Sequence, residues 1–371
     1  MHIEKLSLIN FKNYEEVMLN FSEKINCIVG KNGSGKTNLL DAIYYLSTSK
    51  SALNKIDNQN IRFGEPFFSI VGSFRDNEDS YKVDCALKEG TKKRFRVNGV
   101  EYEKLREHIG RFPTVFITPN DTDIVREGSE IRRKFFDQVI CQMDRKYLDD
   151  LLAYNHYLKQ RNSLLKKFGE TNTLDKAQLE PYDVKLIQLS KNIESVRKQF
   201  MKPFNEYFLK VYHQLAEKKE EVSIEYEANS KGQDYADRFR ASLNRDLMLQ
   251  RSNVGIHKDD FRFVINSQPL KRFGSQGQQK SFVIALKLAQ YEVLKDLKSF
   301  KPILLLDDIF DKLDSDRILQ MINIVNSEQF GQVFITDARE ERTKELFGDA
   351  KLSCKFILVN KGEVENEESK I

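Results

Sequence analysis

The chain has 371 residues, 40% of them hydrophobic and 31% charged, with a formal net charge of +4, the make-up of a water-soluble globular protein long enough for two domains. No apolar run approaches the ~20 residues that span a bilayer, and the opening Met1-His2-Ile3-Glu4-Lys5 lacks the layout of an export signal, so the expected setting is the cytoplasm with no membrane partner. Cys27, Cys85, Cys141 and Cys354 stand far apart without a C-x-x-C pair, which argues against a zinc site or a disulfide framework, and the small net charge leaves any nucleic-acid contact to local basic clusters.

In chain order, Ile3 to Ile9, Val17 to Phe21 and Ile25 to Val29 read as strands, with Asn10-Phe11-Lys12-Asn13-Tyr14 as a polar turn between the first two. The third strand runs into Gly30-Lys31-Asn32-Gly33-Ser34-Gly35-Lys36-Thr37, which fits G-x-x-x-x-G-K-[ST] at every required position, and a helical pattern follows to about Ser47. Strand, loop and helix together are the context a phosphate-binding loop requires. The glycines let the backbone turn its N–H groups onto an anion at a helix N-terminus. Lys36 is placed to reach the β and γ phosphates of ATP, and Thr37 to offer its hydroxyl to Mg²⁺.

Strand-type runs follow at Phe67 to Phe74, Tyr81 to Leu87 and Lys93 to Val97, and Asn98-Gly99 is a two-residue hairpin signal. A short helix is expected over Tyr102 to Ile109, then a strand at Thr114 to Thr118 ended by Pro119. From Asn120 to about Ala216 apolar residues recur at helical spacing, with Pro181 and Pro203 as punctuation, so a helix from Tyr182 to Met201 is too short for a long arm. Strand character returns at Val222 to Tyr226 and Phe261 to Ile265, and the Glu- and Lys-rich tail from Gly362 reads as disordered. The expected architecture is an α/β head of residues 1–119 and 251–371, with 120–250 as a mainly helical second lobe and no long coiled coil.

Two downstream motifs narrow the class. Ile303-Leu304-Leu305-Leu306-Asp307-Asp308 is an apolar strand ending in two carboxylates, the layout of a Walker B strand. Asp307 is placed to hold Mg²⁺ and Asp308 to orient or deprotonate the attacking water. Ser275-Gln276-Gly277-Gln278, opening a helix shortly before that strand, looks like the signature motif of ABC-type ATPases. In such heads it serves the γ phosphate held by the other subunit, which implies an ATP-bridged homodimer. Phe310-Asp311-Lys312-Leu313-Asp314 resembles the D-loop, and Thr336-Asp337 ends a further strand where many ABC ATPases carry a switch histidine.

The motif set resembles the RecF family of bacterial recombination mediators, relatives of the SMC heads. It runs almost end to end: Leu8 to Tyr14, the loop at Gly30, Pro119 to Asp137, Gly255-Ile256-His257-Lys258-Asp259-Asp260, Gly274 to Lys280, and Leu305 to Asp308. Departures occur at Asn120, Glu127, Ser129, Ile256 and Lys312. The resemblance implies a P-loop ABC-type ATPase head, Lys12 in the nucleotide-binding set, and a weak, DNA-stimulated ATPase. It further implies an ATP-dependent dimer that binds double-stranded and gapped DNA and, with RecO and RecR, helps RecA replace single-strand binding protein. The same motifs leave open an SMC-like ATPase acting as a nucleotide-switched DNA scaffold in another repair or defence pathway. Asp308 is one methylene shorter than the glutamate of many ABC ATPases, which predicts slow turnover.

Candidate phosphate contacts for DNA are Lys92, Lys93, Arg94 and Arg96 beside the hairpin, and Arg132 and Arg133 with Arg126, Lys134, Arg145 and Lys146 nearby. The alternative for each is a solvated or ion-paired side chain. His257 is either a contact to nucleotide or DNA or a hydrogen-bonded histidine in a polar turn.

Overall fold

The apolar run Ile25–Val29 is a strand buried at every position, as a strand covered on both faces must be. The computed structural model describes residues 1–171, 174–216, 220–298, 300–309, 329–349 and 353–370. These divide into two units, residues 1–121 with 284–371, and residues 122–283.

The first unit holds strands β1 (His2–Phe11), β2 (Tyr14–Asn20) and β3 (Ile25–Val29), helix α1 (Lys36–Thr48), and strands β4 (Phe67–Asp76), β5 (Asp79–Lys88), β6 (Arg94–Val97), β7 (Val100–Glu101) and β8 (Thr114–Ile117). Three strands of the second unit intervene before β12 (Ile303–Leu306), β13 (Val333–Asp337), β14 (Cys354–Asn360) and β15 (Glu363–Lys370). One sheet is antiparallel in the order β2-β1-β4-β5-β6-β7. Its β6–β7 turn places Asn98 and Gly99 at φ 50° and 79°, the left-handed pair that a two-residue hairpin needs. The other sheet runs β15-β14-β3-β13-β12-β8, parallel except at β15. Helix α1 buries Leu39, Leu40, Ile43 and Leu46 in one core with Phe11, Phe68, Ile70 and Phe334. In a parallel sheet of this kind, ligands bind beyond the carboxyl ends of the strands. Gly30, Asp307 and Thr336 stand at those ends.

The second unit contains helices Ser129–Met143, Arg145–Thr171, Lys176–Leu215 and Tyr235–Leu249, and an antiparallel sheet of β9 (Val222–Glu227), β10 (Asp260–Ile265) and β11 (Gln268–Pro269). Phe136 stacks on Phe261 with ring centroids 4.1 Å apart. The helix Gln276–Leu297 contains the unit boundary.

Several expectations are corrected. The second unit ends at Val283 rather than near residue 250, because β10 pairs with β9 and brings the intervening chain with it. Pro181 and Pro203 lie inside one 40-residue helix, about 60 Å long at 1.5 Å per residue. Pro181 is its sixth residue and so forgoes one intrahelical backbone bond. The tail is β15, paired antiparallel with β14; backbone bonding to a buried neighbour overrides its polar composition. Leu105–Glu107 is a 3₁₀ turn in place of the short helix.

Candidate nucleotide-binding site

The loop between β3 and α1 turns on three glycines with left-handed backbone, Gly30, Gly33 and Gly35. At Gly30 a Cβ would lie 2.1 Å from the Val359 carbonyl oxygen, and at Gly35 it would meet Asn13 and Tyr14 within 2.7 Å. Asn13 and Tyr14 clamp the loop: Asn13 Nδ2 donates to Ser34 O at 3.0 Å, Asn38 Nδ2 donates to Asn13 Oδ1 at 2.7 Å, and the Tyr14 hydroxyl donates to Gly35 O at 3.1 Å. Sequence reading missed their roles, although both stand in the turn it had marked. Lys31, Asn32 and Gly33 form an exposed rim, while Ser34 and Lys36 are buried.

Lys36 Nζ donates to the loop's own carbonyls, Gly30 O at 2.7 Å and Lys31 O at 3.1 Å. Burial pushes its pKa down, opposed by Asp308, Asp307 and Asp337. Thr37 Oγ1 donates to both oxygens of Asp307, at 2.8 and 3.1 Å. A hydroxyl against a carboxylate at the end of a phosphate loop is an all-oxygen donor set suited to Mg²⁺. The Asp307 carboxyl is raised from its ordinary value by burial, with bonds from Thr336 and Thr37 pulling it back. Asp308 follows with φ 47°, a conformation that Asp tolerates better than most residues. Its N–H donates to Thr336 Oγ1 at 2.9 Å, and that hydroxyl donates to Asp307 Oδ1 at 2.8 Å. Asp337 accepts from the Arg339 N–H and the Thr343 hydroxyl, each at 2.9 Å, and so fastens the start of the helix Glu340–Asp349.

In the second unit Ser275 caps the helix Gln276–Leu297. Gln278 N–H donates to Ser275 Oγ at 3.2 Å, and Ser275 N–H donates to Gln278 Oε1 at 2.7 Å, a reciprocal capping box. Ser275 and Gln276 are exposed, Gly277 and Gln278 half-buried. The D-loop stretch, Phe310 to Asp314 with Lys312, lies outside the described residues.

The RecF/RecN/SMC N-terminal domain model matches residues 2–356. A DNA replication and repair protein RecF from Cytophaga hutchinsonii is 47% identical over 98% of this chain and 97% of its own length. Another from Flavobacterium johnsoniae is 48% identical over 93% of this chain and 96% of its own length. The chain belongs to the RecF family. A solved structure of the recombination mediator protein RecF with ATP, in the RecFOR pathway, superposes with a TM-score of 0.89 at 30% identity, covering 100% of this chain and 98% of that one. An SMC head domain from Pyrococcus furiosus, at 16% identity and a TM-score of 0.58 over 100% of this chain and 96% of that one, shares the fold.

Other residues expected to contact nucleotide or DNA in this RecF-family chain are described by the protein partners they have here. Lys12 is ion-paired to the buried Asp41 at 2.6 Å, and Asp41 also accepts from Ser51 Oγ at 2.6 Å and Ala52 N–H at 2.7 Å. Of the hairpin cluster, Lys92 and Arg94 are exposed. Lys93 is folded inward onto Ser49 O at 2.6 Å and Asp57 at 2.8 Å, and Arg96 pairs with Asp84 at 2.8 Å. Arg132 makes a two-pronged pair with Asp260 at 2.8 and 2.9 Å. Arg133 donates to Asp259 O at 2.6 Å and Ser129 Oγ at 2.8 Å. In this structure Lys93, Arg96, Arg132 and Arg133 are ion-paired or hydrogen-bonded to protein groups, whereas Lys92 and Arg94 stand exposed.

His257 Nδ1 lies 2.6 Å from the Tyr154 hydroxyl and Nε2 lies 3.1 Å from Ser252 O. A carbonyl can only accept, so Nε2 carries the proton and the tyrosine donates to Nδ1. Burial pushes its pKa down to about 4; it is a neutral structural histidine. Beside it, buried Arg197 holds Asp137 at 2.9 Å and Asp259 at 2.7 Å. No local pattern marks that cluster, since its members come from separate elements.

Proposed function

We propose that this RecF-family chain binds ATP with Mg²⁺, hydrolyses it slowly, and uses the bound state to form a homodimer on DNA in replication and repair. The observation that carries the proposal is the convergence of Thr37, Asp307, Asp308 and Thr336 at the phosphate loop. The family's relation to DNA repair and a relative solved with ATP support it.

Thr37 and Asp307 would hold the Mg²⁺, which when bound neutralises phosphate charge. Lys36, already desolvated, would exchange the Gly30 and Lys31 carbonyls for phosphate oxygens, with no new burial required. The Asp308 carboxylate would orient the attacking water, its backbone tied to the Thr336 hydroxyl. The signature turn Ser275–Gln278 would serve the nucleotide of a second copy through its helix N-terminus and exposed hydroxyl. Slow hydrolysis then times the dimer. Within the same proposal the dimer binds double-stranded DNA at gaps and acts with RecO and RecR in loading RecA; the ATP-bound relative is a RecF of the RecFOR pathway.

The test is ATP turnover with and without gapped DNA, for the parent chain and Lys36→Met. Turnover that is slow, is raised by DNA and disappears with Lys36→Met supports the proposal. Turnover unchanged by Lys36→Met contradicts it.

A further inference from the structure

The signature turn is fastened by residues no motif includes. Gln278 sits at the middle of a hydrogen-bonded chain: its Oε1 accepts from the Ser275 N–H at 2.7 Å, and its Nε2 donates to Glu220 Oε1 at 2.8 Å. The other Glu220 oxygen accepts from the hydroxyl of Tyr212, which is fully buried in the last turn of the helix Lys176–Leu215. Phe208 and Tyr212 also pack their rings on Phe282, one helical turn beyond Gln278, with centroids 4.6 and 6.2 Å away. The long helix therefore touches the signature helix twice, by ring packing and through one carboxylate.

We propose that Glu220 is a positioning residue for the signature turn, locking the Gln278 amide so that Ser275 and the helix N-terminus are presented in one geometry to the nucleotide of a second copy. This rests on the reading of Ser275–Gln278 as a turn that acts across a dimer. An amide without a fixed neighbour can rotate, and each rotation breaks the cap on Ser275. A carboxylate acceptor fixes which end of the amide faces it: only Nε2 donates, so Oε1 is left for the Ser275 N–H. Glu220 also makes the turn responsive to the long helix, because a shift at Tyr212 moves the carboxylate that sets Gln278. Charge assistance makes this bond stronger than one between two neutral groups.

The test exchanges the partners. Gln278→Glu keeps an acceptor for Ser275 but sets two carboxylates against each other. The pair Gln278→Glu with Glu220→Gln restores a donor and an acceptor with the roles reversed. The readout is the ATP concentration that gives half-maximal dimer, by mass in solution, beside the binding of a fluorescent ATP analogue to the monomer. Gln278→Glu alone is expected to raise that concentration about tenfold, the worth of one charge-assisted bond. The double variant should return to within about threefold of the parent, with analogue binding the same throughout. A double variant as impaired as Gln278→Glu, or Glu220→Ala that dimerises like the parent, overturns the role of Glu220. A parent whose mass ignores ATP, or Ser275→Arg that dimerises normally, overturns the dimer reading and this inference with it. The two failures are distinguished by the parent and Ser275→Arg samples.

Discussion

The Thr336 hydroxyl joins the Asp307 carboxylate to the Asp308 backbone, donating to Asp307 Oδ1 at 2.8 Å while accepting the Asp308 N–H at 2.9 Å. A single side chain at the end of β13 thus orients the Mg²⁺ candidate and the backbone of the water-orienting candidate. Thr336→Val keeps the shape and removes both bonds. The expected result is a fall in kcat of about tenfold, the worth of a hydrogen bond to a charged group, with Thr336→Ser retaining most of the rate. Equal rates for Thr336→Val and the parent would remove Thr336 from the site.

Asp308 tests the slow clamp. Asp308→Asn tolerates the same φ of 47° but cannot take a proton, and it should lower the turnover rate. Asp308→Glu extends the carboxylate by one methylene and should raise the rate, despite a backbone less suited to Glu. Single-turnover kinetics with saturating ATP reads both. A rate unmoved by either change contradicts the role given to Asp308.

Buried neutral histidines make the fold sensitive to acid. Burial holds both His257 and His108 down to about 4, against an unfolded value near 6.5. The unfolded chain therefore takes up protons first as pH falls. Stability is complete above about 6.5, declines through the interval down to about 4, and then levels for these groups. Each contributes up to about 3 kcal/mol of that decline. His257→Gln keeps an acceptor for Tyr154 and should flatten the fall in urea midpoint between pH 7 and pH 5; an unchanged slope would contradict the assignment.

Arg197 is expected to dominate the stability of the second unit. Its guanidinium is buried against Asp137 and Asp259, and it also donates to Ile256 O at 3.0 Å. Arg197→Met leaves buried carboxylates without their cation and should cost about 3–5 kcal/mol, read as a fall in denaturation midpoint. A loss below 1 kcal/mol, on the order of a surface pair, would show that the cluster relaxes into water.

The basic residues fall into two sets, exposed Lys92 and Arg94 and the paired Arg132, that an experiment can tell apart. Reversing the exposed Lys92 and Arg94 to Glu should weaken binding to gapped DNA and reduce the salt slope by about two, leaving the melting temperature in place. Arg132→Ala, which breaks the pair with Asp260, should instead lower the melting temperature. DNA affinity unchanged by the double reversal removes the hairpin from the DNA surface.

The α/β fold class and the strings that make up the candidate site are both legible in the sequence. Gly30 to Thr37 and Leu306 to Asp308 are local strings whose chemistry depends on neighbours in sequence, so pattern alone marks them. In sequence Thr336 reads as a polar strand end at the position expected for a switch residue; its tie to Asp307 is not legible there, because Asp307 arrives through the register of β12 with β13. Lys93 and Arg133 look like surface charges in sequence. Asp57 and the Asp259 carbonyl, which hold them, come from distant positions. The same holds for the unit boundary, where pairing of Phe261 with Tyr226 carries the second unit past the expected end near residue 250. Pro203 misled for a different reason: a long helix fixed by packing on both sides of it, through Phe200, Phe204 and Phe208, absorbs one missing backbone bond.

The central claim is an ATP-bridged dimer, and mass in solution tests it most directly, measured without ATP, with ATP, and with ATP for Lys36→Met and Ser275→Arg. The account predicts a monomer that becomes a dimer with ATP, and monomers for both variants. A mass that ignores ATP with and without gapped DNA, or a Ser275→Arg variant that dimerises like the parent, would contradict it.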